Sequence, residues 1–301
     1  NKGTFCLKKL RFSVEETNFI FDAMQHLKNN GFENVLSVVK QKDGDKFLDY
    51  KGEKYFLTEW IDGRECDYQN PMDLKDAVET MANLHLASKG FEPKIYVERR
   101  DCFGKWPENF QRRTGEMSAL KQNVQEKESK NEIDHLYLQY VDDCIADANE
   151  ALSLLRNTNY QQVVDNARSE KRFIHHDFAH HNILHTFDGK TYIVDFDFCI
   201  MDIRIHDLGS ILLRNMKKFN WDIEKAFYII ECYENISPLS RDERQILIPF
   251  LLFPQDFWQI SRQYYIEKKG WDECDFLDKM NTKSEDTRLK RQFIEEFMQT
   301  I

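Results

Sequence analysis

The sequence predicts an α+β protein of two lobes, a small β-rich N-terminal lobe and a large, mainly helical C-terminal lobe. Three observations carry this. Short strand-like runs surround a single amphipathic helix within residues 1–60. Helical periodicity dominates residues 61–301, with two short apolar runs interrupting it between 173 and 198. The break between the two styles falls in a polar connector at residues 59–70.

Each element has its own reason. Residues 4–10 form a run that reads as a strand. A helix begins at Ser13, because Ser13 and Glu16 fit a reciprocal capping box. Ile20, Met24 and Leu27 give it an apolar stripe, and Gly31 stands where a helix commonly ends. Residues 35–39, 47–50 and 54–58 read as three short strands, with Asp43-Gly44 turning between the first two. Leu74, Ala77, Val78, Met81, Leu84 and His85 mark a helix that stops at Gly90. A charged segment follows over 92–131, then a long amphipathic helix over 132–156, and three more helical stretches after Asp202. No internal repeat or low-complexity tract is present.

Composition narrows the function classes. Hydrophobic residues at 41% and charged residues at 31% are those of a folded protein, which excludes disorder as the main theme. The formal charge of −10 repels duplex nucleic acid, so phosphate must be handled by a few cations or a metal ion. Seven scattered cysteines without a C-x-x-C pair argue against a disulfide framework and against a zinc ribbon, and suit reduced thiols. The most apolar stretch, 246–253, is too short to span a bilayer and is broken by Pro249, so no membrane partner is expected. The chain opens at Asn1 without methionine and enters a strand almost at once, so the N-terminal lobe is expected to be truncated at its start.

The chemistry concentrates in the interrupting insert. His175-His176-Asp177 is followed by Asn182, and the second apolar run, Tyr192-Ile193-Val194, ends in Asp195. Phosphoryl transfer asks little covalent chemistry of a protein; it needs a carboxylate aligned on the acceptor hydroxyl and oxygen ligands for magnesium beside the phosphates. His-x-Asp-x-x-x-x-Asn with an Asp at the end of the next strand supplies that set in order and at close range. Asp-x-x-x-x-Asn alone arises often by chance; its conjunction with flanking strands, Asp195, and Asp207-Leu208 opening a helix does not.

The stretch from His175 to Leu208 resembles the catalytic core of the aminoglycoside and choline kinase-like phosphotransferases, and within them is most similar to the CotS-type spore coat proteins of endospore-forming bacteria. The tracts Gly104-Lys105-Trp106-Pro107-Glu108-Asn109-Phe110, Val194 to Cys199 and Phe253-Pro254-Gln255-Asp256-Phe257-Trp258 support the narrower match, and Met81 to His85 resembles the helix after the hinge. The resemblance implies a bilobal protein kinase-like fold, with ATP and Mg²⁺ as cofactors and a small-molecule hydroxyl or amine as acceptor. It makes Asp177 the base, His175 a brace of the catalytic loop, Asn182 and Asp195 the metal ligands, and Asp207 the support of the loop backbone. Asp207 equally fits a helix cap. Asp197 is either a further metal or substrate contact or an exposed loop carboxylate. The location implied is cytoplasmic or spore coat, where other coat proteins are possible partners. A kinase-fold coat component that does not turn over is the alternative.

The phosphate-binding lysine is Lys8 or Lys9. Lys8 is preferred, because it shares a strand face with the small Cys6, where an adenine ring can approach. Glu16 is its candidate helix partner, although the capping box explains Glu16 as well. Glu59, Trp60 and Ile61 end the last small-lobe strand and are the expected hinge that reads adenine through its backbone. No glycine-rich loop is visible; on this reading its strands precede Asn1.

Five of the nine histidines lie between 175 and 185, and the i,i+4 spacing of His176/His180 and His181/His185 raises a zinc hydrolase as a third reading. That spacing converges only on a helix, and the Glu of His-Glu-x-x-His is missing. Arg99-Arg100, Arg112-Arg113 and Lys217-Lys218 read as solvated faces, with Arg112 and Arg113 an optional anion site. Trp258, Tyr264, Tyr265 and Trp271 read as core by default, with a substrate wall as the other option.

Overall fold

The computed structural model describes residues 3–284 and 287–300. Strand β1 (Phe5–Lys9) leads into α1 (Val14–Asn29), whose start is the expected capping box: Ser13 Oγ accepts from the Glu16 N–H, and the Glu16 carboxylate accepts from the Ser13 N–H. Three strands follow, β2 (Val38–Val39), β3 (Phe47–Tyr50) and β4 (Glu53–Glu59). β4 is the hub of this sheet, pairing antiparallel with β1, β2 and β3. Phe19, Ile20, Ala23, Met24 and Leu27 of α1 are buried, and Phe21 packs its ring on Phe47 and Phe56 of the sheet. A fully buried side chain of this size is worth about 1.5–3 kcal/mol, which is how a short sheet and one helix hold together.

The stretch 59–70, expected to be a plain connector, contains β5 (Gly63–Glu65). It pairs with β6 (Ile183–Thr186), which pairs with β7 (Thr191–Ile193), making a second sheet in the order β5-β6-β7. Gly63 is required there by close approach, since a Cβ on it would sit 2.8 Å from the His185 carbonyl oxygen. Between these strands in sequence lies α2 (Pro71–Ala87), capped by the Asn70 side chain with Pro71 at its first position.

The remaining helices are α3 (Trp106–Gln125), α4 (Glu132–Arg156), α5 (Tyr160–Ser169), α6 (Ile205–Met216), α7 (Ile223–Glu234), α8 (Arg241–Leu252), α9 (Gln255–Tyr265), α10 (Glu273–Ser284) and α11 (Thr287–Thr300). The expected kinase-like α+β organisation, a small sheet region followed by a larger helical one, is therefore present. Residues 132–156 are the helix read from the sequence. The region after Asp202 holds more helices than the three read there, and the charged segment 92–131 contains α3.

The chain divides into two compact units. One comprises Asn1–Phe103, Val164–Ile211 and Phe227–Pro238; the other comprises Gly104–Val163, Leu212–Ala226 and Leu239–Ile301. The first holds both sheets with α1 and α2. The second is helical, and α4 runs through its core with Tyr137, Val141 and Ala148 fully buried. Tyr137 stacks on Phe257 and donates its hydroxyl to the Met117 carbonyl at 2.8 Å.

Candidate active site

The site is built within the first unit from two backbone segments that hydrogen bonds hold side by side. The segment leading to β6 is buried from Phe173 to His175, and Ile174 exchanges backbone bonds with Ile200 at 2.9 and 3.2 Å. After Asp177 the chain makes one 3-10 turn over His180–Asn182 and enters β6. The β6–β7 hairpin then returns it, and the Val194 N–H donates to the Asn182 carbonyl at 2.9 Å, placing Asn182 beside the start of the Asp195 turn. Asn182 is buried, and its amide donates to the Asp177 carbonyl at 2.9 Å and to Asp177 Oδ2 at 3.2 Å. Asp177 and Asn182 are thus one hydrogen-bonded pair.

Asp195 follows β7 in a left-handed conformation, φ 64°, which is rare for a residue with a Cβ. Its Oδ1 lies 3.1 Å from Lys8 Nζ on β1. Lys8 shares the less exposed face of β1 with Cys6, whereas Leu7 and Lys9 face outward and Lys9 pairs with Glu53 at 2.9 Å. The structure therefore brings Lys8 to Asp195. It does not bring Lys8 to Glu16, whose carboxylate lies 3.5 Å from Arg99 and 3.6 Å from Arg100 besides closing the helix cap. The expected Lys8–Glu16 pair is corrected accordingly: one turn into α1, Glu16 is held by the cap and by two arginines.

Asp207, in the first turn of α6, is completely buried and clamps the loop backbone. It accepts the N–H of His175 at 2.9 Å and of His176 at 2.8 Å, and His85 Nε2 stands 3.2 Å from it. A carboxylate only accepts, so Nε2 of His85 carries the proton and Nδ1 accepts from the Tyr233 hydroxyl at 2.8 Å. Burial alone would raise the Asp207 pKa, but the nearby His206 ring and the hydrogen bond from His85 outweigh it and hold the carboxyl well below the usual range. His176 adopts φ 69° and stacks on His206 at 4.3 Å.

His175 is also fully buried. Its Nε2 donates to the Val194 carbonyl at 3.0 Å, tying the loop before Asp177 to the residue before Asp195. Burial lowers the pKa of both His175 and His85, so both imidazoles are neutral. Asp197 is half-buried rather than a fully exposed loop carboxylate, and its pKa is raised by burial and by the neighbouring Asp195.

Sequence reasoning missed Arg100. It was read as part of a solvated face, yet it is 4% exposed and donates to the carbonyls of Asp197 at 2.7 Å and Cys199 at 3.0 Å, pinning the turn that presents Asp195. One arginine of the Arg99-Arg100 pair in a charged stretch carries no signal for this. At the expected hinge, Glu59 and Trp60 are exposed and Ile61 half-buried; the Trp60 N–H donates to the Thr4 carbonyl at 3.1 Å. Of the histidine cluster, His180 and His181 are exposed in the 3-10 turn and His185 lies on β6, so the i,i+4 pairs share no helix face.

The small sheet region followed by a larger helical one is the organisation of a kinase-like phosphotransferase fold, and solved structures share it. The crystal structure of an aminoglycoside phosphotransferase from Alicyclobacillus acidocaldarius subsp. acidocaldarius DSM 446 matches 98% of this chain and 86% of its own, with a TM-score of 0.83 and 20% identity. Amicoumacin kinase hAmiN, solved in complex with AMP-PNP, Ca²⁺ and Ami, matches 99% of this chain and 86% of its own, with a TM-score of 0.61 and 13% identity. The chain belongs to the family described as "Spore coat putative kinase YutH", whose model matches residues 2–297. Spore coat protein S of Bacillus subtilis (strain 168) is 24% identical over 271 residues, covering 89% of this chain and 76% of its own.

Proposed function

We propose that this chain is an ATP- and Mg²⁺-dependent phosphotransferase that phosphorylates a small-molecule hydroxyl or amine and is associated with the spore coat. The observation that carries this is the joining of Asp177, Asn182, Asp195 and Lys8 within one unit by the contacts described above. Asp177 accepts the proton of the acceptor hydroxyl as its oxygen attacks the γ-phosphorus, and the bond from that phosphorus to the β–γ bridging oxygen breaks, leaving ADP. Lys8 contacts the phosphates. The backbone of Glu59, Trp60 and Ile61 reads the adenine edge.

The donor set suits magnesium. The Asn182 side-chain nitrogen is spent on Asp177, so its side-chain Oδ1 is the atom that would meet the ion, and Asp195 adds a carboxylate; both are the hard oxygen ligands Mg²⁺ takes. When bound, the ion neutralises charge on the transferring phosphoryl group. Asp207 and His175 are positioning residues, since each acts through the loop backbone. Glu16, committed to its cap and two arginines, is left out of the nucleotide set.

A screen of hydroxyl- and amine-bearing metabolites with ATP, read as ADP release, tests this. Asp177→Asn is expected to lower the rate by roughly 100- to 10,000-fold. An unchanged rate with a true substrate would defeat the assignment. The coat membership of relatives favours a second reading, a binding component that does not turn over. Thermal unfolding separates the two: stabilisation by ATP–Mg²⁺ supports the enzyme, and no shift supports the scaffold.

A further inference from the structure

Beside the connector strand lies a second cluster that the phosphoryl-transfer reading does not use. Cys66 follows β5 directly, Asp73 sits in the first turn of α2, and His185 is on β6. One potential ligand atom from each, the Cys66 sulfur, an Asp73 oxygen and a His185 ring nitrogen, lies within 4.8 Å of the other two. All are withdrawn from water: Cys66 and Asp73 are each 3% exposed, and the His185 side chain 10%.

The imidazole of His185 is not satisfied in this cluster. Its Nδ1 meets the Thr191 hydroxyl at 3.1 Å, but its Nε2 is buried without a hydrogen-bond partner, 3.7 Å from Asp73 Oδ2. With the proton on Nδ1, donated to Thr191, two acceptors face each other across that gap. With the proton on Nε2, 3.7 Å is too long for a hydrogen bond. A divalent cation between them resolves both cases. A tetrahedral zinc with ordinary bond lengths sets such ligands about 3.4–3.6 Å apart, so the nitrogen–oxygen pair already stands near the required spacing.

We propose that Cys66, Asp73 and His185 form a zinc site that ties the connector after the hinge to α2 and to the strand leaving the catalytic loop. Thiolate, imidazole and carboxylate together select zinc over magnesium, in contrast to the all-oxygen set at Asn182 and Asp195. The outer contacts are in place. The Thr191 hydroxyl fixes the imidazole, and the Asp67 N–H and Asn70 amide bond the carboxylate at 3.0 and 3.1 Å. Arg64 is the competitor: it bonds both oxygens of Asp73, but its side chain is 58% exposed and can swing toward water, leaving one oxygen to the cation that replaces its charge.

The test uses the full chain freed of metal by a chelator and then given Zn²⁺ or Co²⁺, so its readout is independent of turnover. One equivalent of zinc is expected by elemental analysis, together with a thiolate-to-cobalt charge-transfer absorption. Cys66→Ala should abolish that absorption while Cys274→Ala, at an exposed cysteine, keeps it. His185→Gln should weaken zinc binding at least tenfold. Arg64→Gln, which keeps a hydrogen-bond donor beside Asp73, should tighten binding severalfold by removing the competing cation, with thermal unfolding confirming that the variant folds. No charge-transfer band in the native protein, a band that survives Cys66→Ala, or weaker binding in Arg64→Gln each overturns the proposal.

Discussion

Replacing Asp207 with asparagine tests the arrangement beneath the candidate site more directly than any active-site substitution. Three donors converge on its two oxygens: His176 N–H on Oδ1, and His175 N–H with His85 Nε2 on Oδ2. Asparagine keeps one oxygen and puts an NH₂ in place of the other. In the better orientation its oxygen takes the two donors and its NH₂ faces the His176 N–H, which leaves one buried donor unpaired at about 1–3 kcal/mol. The two surviving bonds lose charge assistance, about 1 kcal/mol each. The expected loss is therefore about 3–5 kcal/mol, a large share of a typical stability of about 5–15 kcal/mol. Urea denaturation of both proteins at pH 7.5 measures it. Amide hydrogen exchange at His175 and His176 provides a local readout that does not assume two-state unfolding. A loss below about 1 kcal/mol, with both amides still protected, would refute the clamp.

Three further outcomes follow from the same contacts. Burial depresses the pKa of His85 and His175 from 6.5, so the unfolded chain binds protons there before the folded one does. Stability is then fully present above pH 6.5 and falls as pH drops toward the lower folded values, by up to about 1.4 kcal/mol per pH unit for each histidine. Denaturation at pH 7.5 and 5.0 should show the loss, and His175→Asn should reduce its slope; a flat profile would contradict the burial. Arg100→Met removes a charged donor from the carbonyls of Asp197 and Cys199 and should cost about 2–4 kcal/mol in urea denaturation. Lys8→Met should weaken ADP or ATP affinity about 10- to 100-fold by calorimetry while changing stability by less than about 1 kcal/mol, because both partners of the Lys8–Asp195 pair are about a third exposed.

What could be read from the sequence follows the kind of force at each place. The capping box at Ser13, the helix over 132–156 and the paired apolar runs around Asp177 and Asp195 are local patterns, and each appears where its residues indicate. Strand β5 was hidden because Gly63-Arg64-Glu65 has no apolar alternation; its partner is β6, far along the chain, and its glycine answers a close approach visible only in three dimensions. Helix α3 was hidden in a charged segment, since Trp106, Phe110, Met117, Leu120 and Val124 are its buried face among many polar residues. Lys8 was preferred over Lys9 from strand alternation, and that alternation does place it on the side of Asp195. The same reasoning could not separate the pairing and capping roles of Glu16, because the arginines that claim it lie at 99 and 100. Nor could it detect Arg100, whose partners are backbone carbonyls and leave no trace in side-chain patterns.

The distribution of these contacts also bears on the choice between an enzyme and an inert coat component. The backbone before Asp177 is fixed by Asp207, the backbone before Asp195 by His175, and the turn after Asp195 by Arg100, all through buried bonds. None of these fixings uses the carboxylate of Asp177 or Asp195 itself. The groups that would meet a nucleotide and its ion are thus held by their backbones, while Asp177 and Asp195 keep partly accessible side chains. Such an arrangement is costly. Asp195 and His176 both occupy left-handed backbone conformations, worth about 1–3 kcal/mol each, and Asp197 is half-buried beside a like charge. A protein needing only a folded surface gains nothing from these strained positions, since glycine would relieve both backbone conformations and a neutral residue at 197 would relieve the repulsion. Their presence together, on the two segments that hydrogen bonds join, favours a site organised around charge that arrives with a ligand.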